Sequence, residues 1–335
     1  MVLLKKRAQS IKKSTVWNML KIVLAVVLIG FIVSQTSVDE LSALWRRISA
    51  PWLLGSIVAF YALTWAMARR YWVLIGRKVA FHELLSLVIV QTIVSNFVAS
   101  SAGAVSYVAI LRSRHQIQIG RGVTSLVLAR SGDLLMVLIT LGVSSWFVWS
   151  DITPLHWLIS LLIVSISGIL LMFCFVVILR QRFVGTIERI FHLLNLNRIT
   201  LLERMIKTMA DLAEQAPGRL NESLVPLIIY SALVSAFMFA FFYCNTLLLA
   251  VPIGAWPILF ILSLAQLMTI VPIQVFGGLG VYDITYLYLY SLFGIDQPQI
   301  APVIIGTRII FYAVNVLLLV YLPFNTRFYP GGSPH

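Results

Sequence analysis

Long apolar runs separated by short polar ones set the plan of this chain. Trp17 to Ser34 predicts a first membrane span; the run from Val16 is too long, and lacks the small-residue cleavage site, for a removable leader. Pro51 to about Ile75 predicts a second span, closed by the basic set Arg69, Arg70, Arg77 and Lys78. Val123 to Trp149, His156 to Leu179, Ser223 to Ala250 and Ala301 to Pro323 predict four more. Between Arg180 and Glu222 the pattern changes. Ile187, Ile190, Phe191 and Leu194, then Leu202, Met205, Ile206 and Met209, recur at helical spacing with charges between them. That predicts one or two amphipathic helices on the cytoplasmic membrane face, with a solvated linker helix as the alternative.

Two apolar segments do not read as plain spans. Leu84 to Leu111 has the small and polar stretch SNFVASSAGAVSY in its middle, and Pro257 to Phe293 contains Val271 to Asp283, VPIQVFGGLGVYD. Lipid tolerates non-helical backbone only where protein or a water-filled cavity covers it, so each segment predicts a re-entrant hairpin. A tight extramembrane loop is the alternative for the second. If the first segment spanned once, Arg112, Arg114, His115 and Arg121 would lie outside, against the positive-inside rule; a hairpin returns them to the cytoplasm.

The fold class expected is therefore all-α: a single polytopic transmembrane domain over 1–335, with about six full spans and two hairpins. It has a basic cytoplasmic tail at 1–16, amphipathic helices at 180–222 and a tail at 324–335. The distribution of Lys and Arg predicts both termini in the cytoplasm, and the membrane expected is the cytoplasmic (inner) one. The two hairpins also resemble each other. Arg130 follows Gly103 by 27 positions, and Arg308 follows Gly280 by 28. With hairpins entering from opposite faces, the halves would be inverted repeats, an architecture that puts a binding site near the midplane.

Composition agrees with the pattern: of 335 residues 60% are hydrophobic and 11% charged, far from the balance of a soluble domain. The formal charge of +13 comes largely from basic loops beside spans, which sets nucleic acid aside as a partner. Cys174 and Cys244 lie in apolar runs without metal-ligand spacing, so they predict neither a disulfide framework nor a metal site.

Charge at membrane depth changes the picture more. Asp133 and Asp283 are the acidic residues inside apolar segments, and Arg130 and Arg308 are the deepest basic ones by the same reading. An ionised side chain at the bilayer centre costs on the order of 3 kcal/mol, so these four need partners or water. Arg130 and Asp133, three apart on one helix, can pair directly and merely lock the bundle. The functional alternative has Arg130 and Arg308 hold an anionic headgroup, for which the arginine fork is suited, while a carboxylate balances charge. Asn96 and Gln274 are further candidates for substrate contact, with satisfied bundle residues as the alternative. Gly103, Pro272, Gly277, Gly278 and Gly280 are the candidate hairpin backbone, where glycine permits close approach or positive φ. Tyr282, Tyr286, Tyr288 and Tyr290 read as packing or interfacial aromatics.

No nucleotide-binding glycine loop, HExxH, paired-cysteine motif or GxSxG is present, and the histidines are scattered through loops and span ends. No cofactor is expected, and no catalytic residue is assigned.

The segments GGLGVYD, NFVASSAGAVSYVAILRSR and VLARSGDLL resemble the lysylphosphatidylglycerol synthase transmembrane (flippase) domain family over nearly the whole chain. By that resemblance Gly103, Arg130, Asp133, Gly277, Gly278, Gly280 and Arg308 match the family pattern, and Asp283 replaces a Glu. Ala104 stands where a first Glu is usual and Ser100 where Pro is usual. The aminoacyl-transferase domain of fused members is not expected here, so the resemblance does not imply synthesis of lysyl-lipid. The resemblance implies translocation of a lipid or lipid-linked substrate, with membrane lipids (anionic phospholipid or lipid-linked sugar) as partners. Two alternatives stand beside it. One is a membrane-embedded transferase or hydrolase acting on a lipid phosphate; the other is an accessory subunit anchoring a lipid-modifying or glycosyltransferase enzyme.

Overall fold

The computed structural model describes residues 48–172, 220–267 and 281–324. Every regular element among them is helical. In chain order these are α1 (Ala50–Leu74), α2 (Phe81–Phe97), α3 (Ser100–His115) and α4 (Ile119–Phe147). Then come α5 (Thr153–Met172, with a 3-10 first turn), α6 (Leu220–Leu248), α7 (Ala255–Leu267), α8 (Val281–Leu292), α9 (Gln297–Leu318) and the short α10 (Tyr321–Phe324). Five of these, α1, α4, α5 and the greater part of α6 and α9, are long and apolar enough to cross a membrane. The protein is a polytopic membrane helical bundle. The expected first span, the amphipathic stretch up to 219, most of the C-terminal tail and residues 268–280 lie outside the described residues.

The first irregular segment is two helices with a break at Val98–Ala99, where Ala99 is extended at φ −166° and ψ 149°. Neither arm is long enough to cross on its own, at 17 and 16 residues. The arms pack on each other at Gly103, and this refines the role expected of that glycine. Gly103 is helical and lies within the second arm, and a Cβ there would fall 2.7 Å from the carbonyl oxygen of Gln91 and against the Ser95 side chain. Glycine is needed for close approach of the arms, not for a turn.

Helix starts differ from the expected ones for local reasons. α9 begins at Gln297, four residues early, because Pro298 is accommodated in the first turn, where its missing N–H would be unpaired anyway. α4 begins at Ile119 and carries Arg121 in its first turn. The loop between them and the preceding arm is short, since Gln116 adopts a left-handed conformation at φ 53° and turns the chain.

α1 and α6 form the central antiparallel pair. Phe60 meets Phe241 with ring centroids 5.2 Å apart, Ser56 Oγ donates to Asn245 Oδ1 at 3.1 Å, and Gly55 faces Cys244. α9 leans on this pair through Phe311, whose ring lies 6.0 Å from Phe60. α9 also meets the end of α2, where Asn96 Nδ2 donates to Asn315 Oδ1 at 2.7 Å and Phe97 packs on Tyr312. α7 joins α4 through a hydrogen bond from Ser263 Oγ to Thr140 Oγ1 at 2.9 Å. Helices from both halves of the sequence thus surround one interior space.

Candidate functional site

That space is a cavity of about 290 Å³. Its walls come from α1, α2, α4, α6, α7, α8 and α9, with Ser100 of α3 at one edge. Among the described residues five charged side chains line it: Arg70 from α1, Arg130 and Asp133 from α4, Asp283 from α8 and Arg308 from α9. The sequence reading named four of these. Arg70 escaped it.

Arg70 was expected to lie with Arg69, Arg77 and Lys78 in a basic flank. It is instead 1% exposed and is among the largest fully buried side chains. Its Nη1 and Nη2 donate to the two carboxylate oxygens of Asp133, the second bond at 3.4 Å, and Nη1 also donates to Ser231 Oγ of α6 at 3.2 Å. Helical phase explains the split between neighbours. Arg70 continues the stripe Phe60, Leu63 and Thr64 that α1 buries, while Arg69 projects sideways under Trp65, Trp72 and Phe81, 4.0 Å from the Phe81 ring centroid. Extending the buried stripe of α1 to its end would have found Arg70 in the sequence.

The expected Arg130–Asp133 pair is consequently the weaker one. Asp133, at the midpoint of α4, gives its best geometry to Arg70 and approaches Arg130 Nη1 only at 3.7 Å. Arg130 is 59% exposed and donates to Ser100 Oγ at 3.5 Å, a long contact. Close approach of α4 and α6 supports the tighter triad: a Cβ on Gly132 would lie 2.3 Å from Ser231 Oγ.

In the second half Arg308 Nε donates to Asp283 Oδ1 at 2.7 Å, with both groups largely removed from the surface. The Arg308 guanidinium also lies 5.8 Å from the Tyr282 ring centroid. Tyr282, Tyr286 and Tyr290 line the cavity at successive helical turns, and Tyr288 points away, half-exposed. These tyrosines therefore divide by face: three border the charged space, and of these Tyr286 and Tyr290 also pack in the core, as expected of packing aromatics. Arg130 and Arg308 share one relation: each reaches a residue in the first turn of the helix before its own, Ser100 of α3 and Asp283 of α8.

α2 contributes an uncharged wall. Gln91, Thr92, Ser95 and Asn96 fall on one face of an otherwise apolar helix, and all four line the cavity. Asn96, a candidate from the sequence, is held by Asn315. Gln274, Pro272, Gly277, Gly278 and Gly280 lie outside the described residues. Among the described residues the lining holds three arginines and two aspartates, one more basic side chain than acidic. Among the described residues no three His, Cys, Asp or Glu side chains are grouped as metal ligands would be. The described lining includes no histidine or cysteine.

Compared with known proteins, residues 18–318 match the family model described as the Lysylphosphatidylglycerol synthase TM region. No curated protein and no solved structure matches.

Proposed function

The chain belongs to the lysylphosphatidylglycerol synthase transmembrane-region family, and from that membership and the charged cavity we propose that it moves an anionic amphiphile between the leaflets of the cytoplasmic membrane. The observation that carries this reading is the convergence of Arg70, Arg130, Asp133, Asp283 and Arg308 on one interior space. Carrying a charged headgroup through hydrocarbon is costly because water is absent, and preorganised opposite charge lowers that cost. Two of the three arginines are neutralised by a close carboxylate, whereas Arg130 shares its carboxylate with Arg70. Arg130 is thus the group with charge left to offer, and its fork suits a phosphate.

The same reading treats the α2–α3 pair and the segment ending in α8 as re-entrant hairpins of two inverted repeats. Its support is the common relation of Arg130 and Arg308 to the first turn of the preceding helix. On this reading both termini lie in the cytoplasm, supported by the basic residues at the ends of α1 and α3 under the positive-inside rule. Arg130 meets Ser100 where Arg308 meets Asp283, so on this reading the carboxylate of the first half comes from Asp133 of α4 and not from the hairpin.

Reconstitution in liposomes with acyl-labelled lipids tests the proposal. Leaflet exchange without chemical change is the expected result; a chemically altered lipid would mean a membrane-embedded enzyme, and neither would leave an accessory role. Arg308→Ala is expected to abolish exchange with normal membrane insertion, and wild-type exchange in that variant removes Arg308 from the site. For the hairpins, Arg112→Cys and Ser291→Cys labelling from the same side of the membrane would sink the inverted arrangement.

A further inference from the structure

Arg69, next to Arg70, is held on the outside of the bundle. Its guanidinium lies 4.0 Å from the Phe81 ring centroid, 5.2 Å from that of Trp65 and 5.4 Å from that of Trp72, so rings from the end of α1 and the start of α2 clamp it. Trp72 is fixed in turn by its indole N–H, which donates to the Val79 carbonyl at 2.8 Å. The same indole carries a second cation, with the Arg77 guanidinium 5.2 Å from its centroid. Gly76 and Arg77 are both left-handed, at φ 77° and 56°, and the Arg77 N–H donates to the Trp72 carbonyl at 2.9 Å. That turn folds Arg77 back on the ring, in a backbone region uncommon outside glycine. None of Trp65, Arg69, Trp72, Arg77 and Phe81 lines the charged cavity.

Among the described residues neither guanidinium meets a carboxylate. Glu83 is the only acidic residue between positions 48 and 132, and its Oε2 lies 3.7 Å from His115 Nδ1. The ends of α1 and α3 and the starts of α2 and α4 add Lys78, Arg112, Arg114 and Arg121 to the same end of the bundle. Along α1, Leu54, Val58, Tyr61 and Trp65 recur at helical spacing and are all exposed, an apolar strip that leads to the clamped Arg69. At 1.5 Å per residue Arg69 lies about 7 to 8 Å inside the end of α1, the depth at which headgroups meet acyl chains. From this arrangement we infer that the α1–α2 junction binds an anionic phospholipid of the adjoining leaflet, the cytoplasmic one under the positive-inside rule. Its phosphate lies on Arg69 and Arg77, and an acyl chain follows the strip on α1. Guanidinium groups keep their charge and bind phosphate through paired N–H donors, and the rings set both forks before the lipid arrives. Arginines that only snorkel to the interface need no such clamp. The site is separate from the cavity and does not depend on the carrier reading.

Photo-crosslinking with peptide mapping reads this site apart from the cavity, whose adducts would fall on α4 and α9. The full chain in phosphatidylcholine nanodiscs is doped with phosphatidylglycerol or phosphatidylcholine of the same acyl chains, each carrying a photoactivatable group on its headgroup. Adducts between Trp65 and Glu83 should be at least about fivefold more abundant with phosphatidylglycerol, because only that lipid has a net negative headgroup for the two forks. Arg69→Gln and Arg77→Gln should each bring that ratio close to one. Arg112→Gln removes an exposed charge from the same end of the bundle and should leave the ratio unchanged. Arg77 sits on an exposed turn, so its variant tests the site even where Arg69→Gln fails to fold. Equal labelling by the two lipids, or a fall in Arg112→Gln as large as in Arg77→Gln, overturns the inference. Loss of labelling to an equal concentration of soluble glycerol 1-phosphate would overturn the lipid assignment, since the ligand would then be a free phosphate. Selective adducts at this junction without leaflet exchange in liposomes would uphold the site while refuting the carrier reading; exchange without selective adducts would do the reverse.

Discussion

Asp133→Asn and Arg70→Met remove opposite ends of the same buried pair, and the structure gives them unequal costs. Without the carboxylate, Arg70 keeps its full charge at 1% exposure with Ser231, Tyr71 and a neutral amide to receive its N–H groups. Breaking a buried pair so that a charge is left uncompensated costs about 3 to 5 kcal/mol. Because the amide oxygen still accepts one bond, the lower end applies, and about 3 kcal/mol is roughly a hundredfold in the unfolding equilibrium. Arg70→Met removes the buried charge instead. Asp133 is then 25% exposed with Arg130 Nη1 at 3.7 Å, so about 1 kcal/mol is expected. Replacing both ends by apolar groups, Arg70→Met with Asp133→Leu, should be less damaging than Asp133→Asn alone, as happens when a buried pair is exchanged for packing. Reversible unfolding in mixed micelles, followed by tryptophan fluorescence, measures all three, and the Asp133→Leu single variant closes the cycle that gives the coupling energy. Arg70→Met proving as destabilising as Asp133→Asn would refute the reasoning, because Arg130 would then be no alternative partner for the carboxylate.

Two glycines of α4 should behave oppositely. Gly132→Ala meets Ser231 and should cost about 1 to 3 kcal/mol, while Gly142→Ala meets nothing within 4 Å and should gain about 0.5 to 1 kcal/mol; the same unfolding assay reads both. Gly103→Ala should separate the hairpin arms, because the new methyl would press on the Gln91 carbonyl. Faster hydrogen exchange over α2 and α3 with α6 unaffected is the expected signature. At the end of α3, burial lowers the His115 pKa, Glu83 raises it and Arg114 lowers it again. With the folded value below the ordinary one near ~6.5, the unfolded state binds the extra proton first. Stability is therefore complete above about pH 6.5 and declines as pH falls toward the folded pKa. His115→Gln should flatten that decline in thermal unfolding scans between about pH 7 and about pH 5. An unchanged slope would show that His115 does not carry it.

The membrane class, the positions of the long spans and the break near Ser95 to Ser100 were legible because each depends on local sequence. A run of apolar residues must be long enough to cross lipid, and a run of small polar ones interrupts it whatever the partner helix. The charges at membrane depth were legible for the same reason, since Arg130, Asp133, Asp283 and Arg308 stand alone among apolar neighbours. Their pairing was not. Nearness in sequence suggested Arg130 with Asp133, but the carboxylate was taken by Arg70, 63 positions away. Arg70 was hidden because a basic residue beside Arg69 looks like part of an interfacial flank, and only helix rotation against α6 tells the two apart.

The sequence by itself determined that this is a bundle of membrane helices interrupted by breaks, with two Asp and two Arg that lipid could not solvate. Tertiary structure alone decided that an additional arginine joins them, that Asp133 serves Arg70 before Arg130, and that Gln91, Thr92 and Asn245 face the same space. The physical reason is range. Hydrophobic length and helix breaks act within a segment, whereas the choice among ion-pair partners depends on a few ångströms of approach between helices distant in sequence, set here where Gly132 lets α4 close on Ser231.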